Sequence, residues 1–565
     1  MAAEKRHPKG IYVLFFTEMW ERFGYYLMLG IFTMYMANSA GMGFDEEKKS
    51  DIYGTYLGLV YLTPFIGGLL ADRFLGYRRS IIIGGLLMAI GYFGLSIVGN
   101  DTIFYISLLF IIVGNGFFKP NISVLVGNLY NKEQYKDKKD AGYNIFYMGI
   151  NIGSFFCNFV AAYLRIEYGW GYAFAAAGVG MLIGIIIFIA GTKHIREVDI
   201  LKPKQPNDWS LARIFSVVFI PVAIFSYLGW IIPDNIFGTD GNDAFLIGSI
   251  PVIGFYLTLF FRASDEDKRP VGALLYVFFA VIIFWAVFHQ NGDALTVWAK
   301  DHTHREIPES VRGVASTLKL EQTVTYDKYA VMPAAQFKAS QDSLAAVSES
   351  LSKAGKKKEH EEIDLIISNR EESRSYFANL PDDQKPAFNG EKKLIPTELF
   401  QSVNPFWVIC LTPVVVGLFA FLKRRRREIG TPTKIALGLL ITGLSAVVMV
   451  AAVKSVDMAQ DKASAWWLVM SYCVITFGEL CLSPMGLSLV SKLSPPRFTA
   501  LLMGGWFLST AIGNKLAGMM SHMYESFDDK ANFFWMNFGA CVGAFLLLFA
   551  ALRWLNRVMK EKGVN

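Results

Sequence analysis

The sequence is poor in cysteine and in charge, and both shortages exclude classes of protein. Its five cysteines all fall inside apolar runs, so they form no disulfide framework and serve as small hydrophobic residues. They are Cys157, Cys410, Cys473, Cys481 and Cys541. Only 18% of the 565 residues are charged, and the net charge of +6 requires no nucleic acid, because basic residues also collect at cytoplasmic membrane edges. The sequence contains no nucleotide-binding loop and no metal-ligand cluster, so we expect neither a cofactor nor an enzyme.

Long apolar runs dominate the sequence, of which 53% is hydrophobic. A run of about 20 residues crosses the hydrocarbon core as a helix, and the backbone in lipid must be helical to satisfy its polar groups. The fourteen predicted spans are 11–37, 52–72, 79–99, 102–128, 140–165, 169–191, 211–233, 243–263, 270–298, 398–422, 433–455, 464–490, 497–525 and 530–558. The first span follows MAAEKRHPKG but lacks a small-residue cleavage site, so we interpret it as a retained span and not a signal peptide.

Basic residues concentrate in the loops on one side of the predicted membrane. They are Arg73, Arg78, Arg79, Lys132, Lys136, Lys138, Lys139, Lys193, Arg196, Lys202, Lys204, Arg424, Arg425, Arg426 and Arg427. An even number of spans puts these loops on the side of both termini, and the positive-inside rule makes that side the cytoplasm. The sequence thus predicts an inner-membrane protein with both termini in the cytoplasm.

A short internal similarity divides the chain into two halves. PNISVLVGNL begins at Pro120 and PMGLSLVSKL begins at Pro484, in two helices of the same predicted direction. Parallel six-helix halves are typical of the major facilitator fold. The predicted fold is an all-α membrane protein with two six-helix bundles, two extra transmembrane helices and a periplasmic insert. The predicted domains are 1–191 for the N-terminal bundle, 192–269 for the linker with the extra helices, 270–298 with 398–565 for the C-terminal bundle, and 299–397 for the insert.

The insert has no spanning run and is rich in serine and lysine. Segments such as SLAAVSESLSKAGKKKEHEEIDLIISN favour amphipathic helix. A small cap domain and a disordered loop both fit this composition.

Three ionisable residues of the first span form one cluster. Glu18 lies three residues before Glu21 and four before Arg22, so all three share one face of a helix. Two carboxylates and one guanidinium leave one excess negative charge, which binding of a proton relieves. We therefore predict a proton site, and the alternative is a structural ion-pair network that only holds helices together.

Lys119 and Glu479 lie near the matched prolines of the two halves, one residue before Pro120 and five before Pro484. The difference is about one helical turn, so the two side chains project to similar faces. One half then offers a cation and the other an anion, which fits a zwitterion such as a short peptide. The alternative is a direct salt bridge between the halves.

Six segments in order along the chain resemble motifs of the proton-coupled oligopeptide transporter family, which belongs to the major facilitator superfamily. They are TEMWERFGYY at 17–26, GGLLADRFLGYRR at 67–79, GNGFFKPN at 114–121, FYMGINIGS at 146–154, FGELCLSPMGLSLVSKLSP at 477–495 and GGWFLSTAIGN at 504–514. The extra helix pair resembles the bacterial branch. The resemblance implies proton-coupled import of di- and tripeptides by alternating access, with peptides, protons and membrane lipid as partners.

The resemblance also implies roles for single residues. Glu18, Glu21 and Arg22 would couple protons, and Arg22 and Lys119 would bind the peptide carboxylate. Glu479, Asn151 and Asn404 would bind its amino terminus. The peptide pocket would be lined by Tyr25, Tyr26, Tyr61 and Trp506. The alternatives are ordinary helix packing for the aromatic residues and helix–helix hydrogen bonds for the two asparagines.

The sequence departs from the family at an ion pair that closes the outer gate. His289 stands where the family has an acidic residue in the seventh helix, and Leu29 stands where it has an arginine in the first. We consider two roles for His289, an outer-gate proton site and a neutral hydrogen-bonding residue. Asp293 and Lys515, near the outer ends of their spans, would pair with each other or reach the interface.

Three other functions remain open from the sequence. A carrier of another anion, such as nitrate or an organic acid, belongs to the same class. A peptide receptor that works through its insert would bind ligand without accumulating it. An integral-membrane enzyme is the third, but His302 and His304 in the insert are a lone pair without a catalytic constellation.

Overall fold

Long helices form most of the molecule. The computed structural model describes residues 7–200, 213, 215–425, 427, 429–495 and 499–562. Lys202, Lys204 and Arg426, counted above among the basic loop residues, lie outside the described residues, as do 211, 212 and 214 of the seventh predicted span.

The first eight helices are the six of the N-terminal bundle and the extra pair. They are α1 Gly10–Ala37, α2 Glu46–Leu70, α3 Tyr77–Leu95, α4 Asp101–Leu129, α5 Lys139–Tyr168, α6 Trp170–Ala190, α7 Ile220–Trp230 and α8 Asp240–Phe261. Helix α2 begins six residues before its predicted span, because Asp45 caps it by accepting a 2.8 Å hydrogen bond from the Lys48 amide.

The remaining helices belong to the insert and the second bundle. They are α9 Asp265–Phe288, α10 Ala294–Asp301, α11 Glu309–Thr317, α12 Ala334–Lys353, α13 Lys357–Ala378, α14 Val403–Arg424, α15 Thr431–Lys454, α16 Ala465–Leu493, α17 Thr499–Ser526 and α18 Lys530–Glu561. The predicted span 270–298 is broken, because a 3₁₀ turn at His289–Gly292 separates α9 from α10.

Ten helices of the described residues are long and apolar enough to cross a membrane. The all-helical membrane fold is therefore confirmed. The other helices that match predicted spans are shorter or less apolar, and α1 is an example because it contains Glu18, Glu21 and Arg22.

Each bundle has its own hydrophobic core. In the first, α1 packs on α5 and α6, and α4 packs on α2 and α3. In the second, α15 packs on α16 and α18, and α9 packs on α17 and α18. Helices α7 and α8 pack mainly on each other, beside the bundles. The division at the predicted domain boundaries stays a prediction.

The insert is a folded unit and not an irregular loop. Strands β2 Gln322–Thr325 and β3 Glu391–Leu394 pair antiparallel, and α13 packs against them. Their apolar side chains form a separate small core with members such as Val324, Tyr376 and Leu394.

The two bundles contact each other at one end of the molecule. We call this the insert end, because the insert begins and finishes there, and the opposite end the terminus end. Hydrogen bonds and ion pairs join the two bundles in the half toward the insert end. Helix α2 packs closely on α17 there. A Cβ atom placed on Gly54 would lie only 3.0 Å from the carbonyl oxygen of Lys515. The structure is thus closed at the insert end.

Close contact of α2 with α4 depends on glycine. A Cβ at Gly67 would occupy the space of the Gly116 carbonyl, which is backbone and cannot rotate away. At Gly417 in α14, by contrast, nothing lies within 4 Å of a Cβ.

We predict that Gly67→Ala lowers the free energy of unfolding by about 1–3 kcal/mol, the usual cost of overpacking. The matched variant Gly417→Ala should leave stability unchanged or slightly raised, because alanine favours helix more than glycine does. Thermal unfolding of both purified variants in detergent measures the difference. Equal melting temperatures would show that α2 and α4 do not need this close contact.

Candidate functional site

The charged cluster of the first span lies inside the N-terminal bundle. The Arg22 guanidinium makes two hydrogen bonds to Glu21, with Nη2 2.6 Å from Oε1 and Nε donating to Oε2. Its Nε lies 3.4 Å from Oε1 of Glu18. All three residues are buried, at 3% exposure or less. The expected grouping on one helix face is what the structure shows.

The two carboxylates of this cluster are not equivalent. Both oxygens of Glu21 bond to Arg22, whereas Oε2 of Glu18 is buried and has no hydrogen-bond partner among the described residues. An ionised oxygen without a donor is costly in a dry environment. Glu18 is therefore the member of the cluster with a free position for a proton.

Asn115 on α4 connects the cluster to two other helices. Its Oδ1 accepts a 3.4 Å hydrogen bond from Arg22, and its Nδ2 donates to the Val60 carbonyl of α2 at 2.9 Å. It is fully buried. Sequence reasoning missed Asn115, although it lies in the GNGFFKPN segment one turn before Lys119 and so on the same helix face.

Lys119 is half-buried, and its ammonium lies 4.2 Å from the centre of the Tyr61 ring. It forms no hydrogen bond or ion pair with any residue that the structure describes. The attraction between a cation and an aromatic face contributes about 0.5–2 kcal/mol. Removing a charge from water costs several kcal/mol, so this attraction offsets only part of the cost. The charge of Lys119 is thus only partly compensated.

Glu479 on α16 is held from α14. Asn404 donates from Nδ2 to Glu479 Oε2 at 3.2 Å and to Thr476 Oγ1 at 2.8 Å. Asn404 is therefore a helix–helix hydrogen-bonding residue and a partner of Glu479 at the same time. Thr476, one turn before Glu479, is a further residue that sequence reasoning missed.

Tyrosine rings lie against the cationic side chains of the N-terminal bundle. Tyr61 faces Lys119, and Tyr25 faces Arg22 and meets the Tyr26 ring edge-on at 5.1 Å. Lys119 and Glu479 form no ion pair within 4 Å, so the direct salt bridge considered from the sequence is absent from this structure. An ammonium in one bundle and a carboxylate in the other remain available to a ligand.

Other predicted site residues differ in accessibility. Tyr25 is 2% exposed, stacks under Arg22 at 4.9 Å and packs in the core of its bundle. Trp506 is 3% exposed and packs closely against Gly486 and Phe278. Asn151 donates to the Tyr147 carbonyl of its own helix at 2.9 Å. Tyr26 and Tyr61 are half-buried and so the more accessible aromatic residues.

His289 lies at the break between α9 and α10, 8% exposed and surrounded by rings. Its imidazole stacks on Trp285 at 5.3 Å and meets Tyr61 edge-on at 5.9 Å. Its Nδ1 has no hydrogen-bond partner among the described residues. The environment of the imidazole is therefore aromatic, and both roles considered for His289 stay untested.

The pairing suggested between Asp293 and Lys515 is wrong. Lys49 of α2 lies 2.9 Å from Asp293, and Lys515 of α17 pairs with Asp51 of α2. Each charge thus finds a partner on the other bundle and is buried instead of reaching the interface. These pairs cross the insert end, where the sequence lacks the expected acidic residue and arginine at His289 and Leu29.

Sequence reasoning missed a third ion pair at the insert end. Arg165 of α5 bonds Glu398 through two hydrogen bonds of 2.7 and 3.0 Å, and Glu398 is fully buried. The signal was present in the sequence, because both residues stand at the ends of predicted spans on the same side. Three ion pairs therefore join the bundles where they meet, and only the carboxylate of Asp51 among them is partly exposed.

Fold and site together define a multi-pass membrane transporter of the major facilitator fold. Its two bundles meet at the insert end, and one bundle carries the Lys119 ammonium while the other carries the Glu479 carboxylate.

The chain belongs to the POT family. The sequence profile of that family, PTR2, matches residues 78–313 and 387–536, which is more than half of the chain. The insert interrupts the match between these two ranges.

Proteins that align over nearly the full length of the chain are named as peptide transporters. The chain is 28% identical to a di-/tripeptide transporter of Lactococcus lactis subsp. lactis, covering 96% of this chain and 95% of the relative. It is 29% identical to the peptide transporter YePEPT of Yersinia enterocolitica, covering 91% and 87%. A crystal structure of the peptide transporter POT in complex with sulfate matches with a TM-score of 0.73 and 29% identity, covering 98% of this chain and 96% of that chain.

We predict that Glu398→Gln lowers the free energy of unfolding by about 3–5 kcal/mol, because it leaves the Arg165 charge buried without a partner. Replacing both residues, as Arg165→Met with Glu398→Leu, should restore most of the loss. Asp382→Asn, which breaks a surface pair with Lys385, should cost less than about 1 kcal/mol. Unfolding in mixed micelles measures all three, and a double variant no more stable than Glu398→Gln would contradict the account.

Proposed function

We propose that this protein is a proton-coupled symporter that imports di- and tripeptides by alternating access. The observation that carries the proposal is the separation of Lys119 and Glu479. Each belongs to a different bundle, and the two do not neutralise each other. A peptide has an ammonium at one end and a carboxylate at the other, so it satisfies both groups at once. The printed names of the relatives in Lactococcus and Yersinia support the same substrate class.

We assign each residue of the site a role within this proposal. The substrate carboxylate binds Lys119, and Arg22 joins it when the cluster is protonated. The substrate amino group binds Glu479, which Asn404 orients. Tyr26 and Tyr61 contact the peptide between its ends, where aromatic rings accept many side chains. Trp506, which is 3% exposed, supports this surface from the C-terminal bundle. Asn151 and Tyr25 support this site from the helices behind it.

Proton coupling is assigned to the Glu18, Glu21 and Arg22 cluster. A proton on Glu18 removes one of the two negative charges that Arg22 balances. The guanidinium then has more attraction left for a substrate carboxylate. Substrate and proton therefore favour each other's binding, as symport requires. His289 is retained as a candidate proton site, with the neutral residue as its alternative.

The orientation follows from the basic loops. We place both termini and the terminus end in the cytoplasm of a bacterium, and the insert end in the periplasm. The structure then corresponds to an inward-facing state of the inner-membrane carrier. The predicted domain boundaries of the two bundles, the linker and the insert are part of this proposal, as is surrounding lipid as a partner.

Glu479 favours peptides over the alternative substrates. A carrier of nitrate or of an organic acid needs cationic groups, and the half-buried carboxylate of Glu479 repels such anions. Two bundles with separate cores that meet at the insert end favour a transporter over a receptor, since alternating access needs bundles that can separate.

Uptake into proteoliposomes tests the function. Purified protein should accumulate a labelled dipeptide when the outside is more acidic than the inside, and should only equilibrate it when a protonophore removes the gradient. The same dipeptide with both ends capped should not compete, because it has no charges for Lys119 and Glu479. Accumulation of nitrate instead of the dipeptide would reject the peptide proposal.

Glu18→Gln separates coupling from substrate binding. The variant mimics the protonated residue permanently, so we expect exchange of internal for external dipeptide at a rate within about threefold of the wild type. Accumulation driven by the proton gradient should fall at least about tenfold. The control is Glu362→Gln on the insert surface, which should behave as wild type in both assays. Loss of exchange and accumulation together would assign Glu18 a structural role.

A further inference from the structure

The insert is attached to the C-terminal bundle by backbone and by side chains. Strand β1 Thr303–His304 pairs in parallel with β4 Ala463–Ser464, in the loop between α15 and α16. His304 Nε2 lies 2.9 Å from Asp461, and the buried Lys462 donates to the carbonyl of Asp301. Helix α10 continues this attachment directly from α9. The insert therefore moves with the C-terminal bundle.

The insert is also rigid internally. Arg305, which is fully buried, pairs with Glu372 of α13 and donates to the Ile395 carbonyl at 3.0 Å. Burial opposes the charge of Glu372, but Arg305 and Lys300 lower its pKa to about 2. The carboxylate thus stays ionised over the physiological range, and α13 stays fixed to the base of the insert.

The same helix α13 contacts the N-terminal bundle through polar groups. Glu371 accepts a 2.6 Å hydrogen bond from Asn38 Nδ2 and a 3.2 Å hydrogen bond from the Ser39 amide. Ser368 donates to Asn38 Oδ1 at 3.0 Å. Asn38 is the residue that ends α1, and Trp170 at the start of α6 also donates to its Oδ1 at 3.3 Å.

We expect the contact between α13 and the N-terminal bundle to be reversible. The hydrophobic core of the insert is separate from the cores of both bundles. A second contact, Lys319 to Glu167 at 2.6 Å, is exposed and so weak on its own. Hydrogen bonds and a weak surface ion pair, formed between parts with separate hydrophobic cores, can break and reform as the bundles move.

We propose that the insert is a latch, carried by the C-terminal bundle, which holds the insert end closed by binding the end of α1 through Glu371 and Ser368. The proposal rests on the proposed function only in that alternating access separates the bundles at this end. Opening then requires α13 to release Asn38 and Ser39. The latch acts beside the ion pairs of Lys49 and Lys515, at the end where Leu29 and His289 provide no charge pair.

Labelling of a single engineered cysteine tests the latch without any substrate. Thr33 is 3% exposed at the junction of the bundles, where its hydroxyl donates to the Gly292 carbonyl at 2.9 Å. In the Thr33→Cys background, Glu371→Ala should raise the rate of modification by a membrane-impermeant maleimide from the insert side at least about threefold. Glu362→Ala, on the same helix but exposed and paired only with Lys358, should leave the rate unchanged. Equal rates in the two variants would overturn the proposal.

A disulfide provides the second measurement, in case Glu371→Ala does not fold. Asn38→Cys with Ser368→Cys joins the two sides of the latch. The oxidised protein should lose dipeptide exchange, and a reducing agent should restore it. Exchange at the unmodified rate in the oxidised protein would reject the latch. Absence of uptake by the wild-type protein would reject the transport proposal instead, while the maleimide rates would still decide the latch.

Discussion

The structure depends on how it compensates charge inside the membrane. A charged side chain at the bilayer centre costs at least about 2.5–3.5 kcal/mol, so every such group needs a partner or access to water. Arg22 satisfies Glu21 through two hydrogen bonds and Glu18 only in part. Lys119 has an aromatic ring, and Glu479 has one amide. The compensation is incomplete at Glu18, Lys119 and Glu479, which are the positions that we propose to bind a proton and a zwitterion.

The opposite situation holds at the insert end. There the charges of Lys49, Arg165 and Lys515 are paired across the bundles and buried. Removing a buried pair as a whole costs little, but leaving one member buried without its partner costs about 3–5 kcal/mol, so such pairs favour one defined closed arrangement. The charges at the insert end are therefore paired, whereas those of Lys119 and Glu479 are only partly compensated. Binding of ligand at the centre can then change the balance between closed and open states, as far as its affinity for the two differs.

Much of this could be predicted from the sequence, because the membrane restricts the choices. Apolar runs predicted most helix ends to within six residues, and charges inside those runs drew attention to Glu18, Glu21, Arg22, Lys119 and Glu479. The break after Phe288 was not predicted, since nothing in an apolar pattern signals a 3₁₀ turn. The ion-pair partners of the buried charges were also not predicted. Asp293 and Lys515 looked like candidates for each other, but helix packing brings Lys49 and Asp51 of α2 to them.

Neutral polar residues were the hardest to find. Asn115 and Thr476 have no charge to mark them, and only the three-dimensional contacts show that they hold Arg22 and Asn404 in place. The fold of the insert was left undecided for a related reason. Its polar helices become stable only through the small core around Val324, Tyr376 and Leu394, and composition does not reveal such a core.

The central claim is that one bundle binds the carboxylate of a peptide and the other its amino group. Affinities of a dipeptide and of its N-acetylated form, measured by calorimetry on the wild type and on Glu479→Gln, test it directly. Acetylation should weaken binding at least about tenfold in the wild type, equivalent to about 1.4 kcal/mol, and should have little effect in the variant, where the carboxylate is already missing. An equal loss in both proteins would contradict the account, because the amino group would then bind elsewhere.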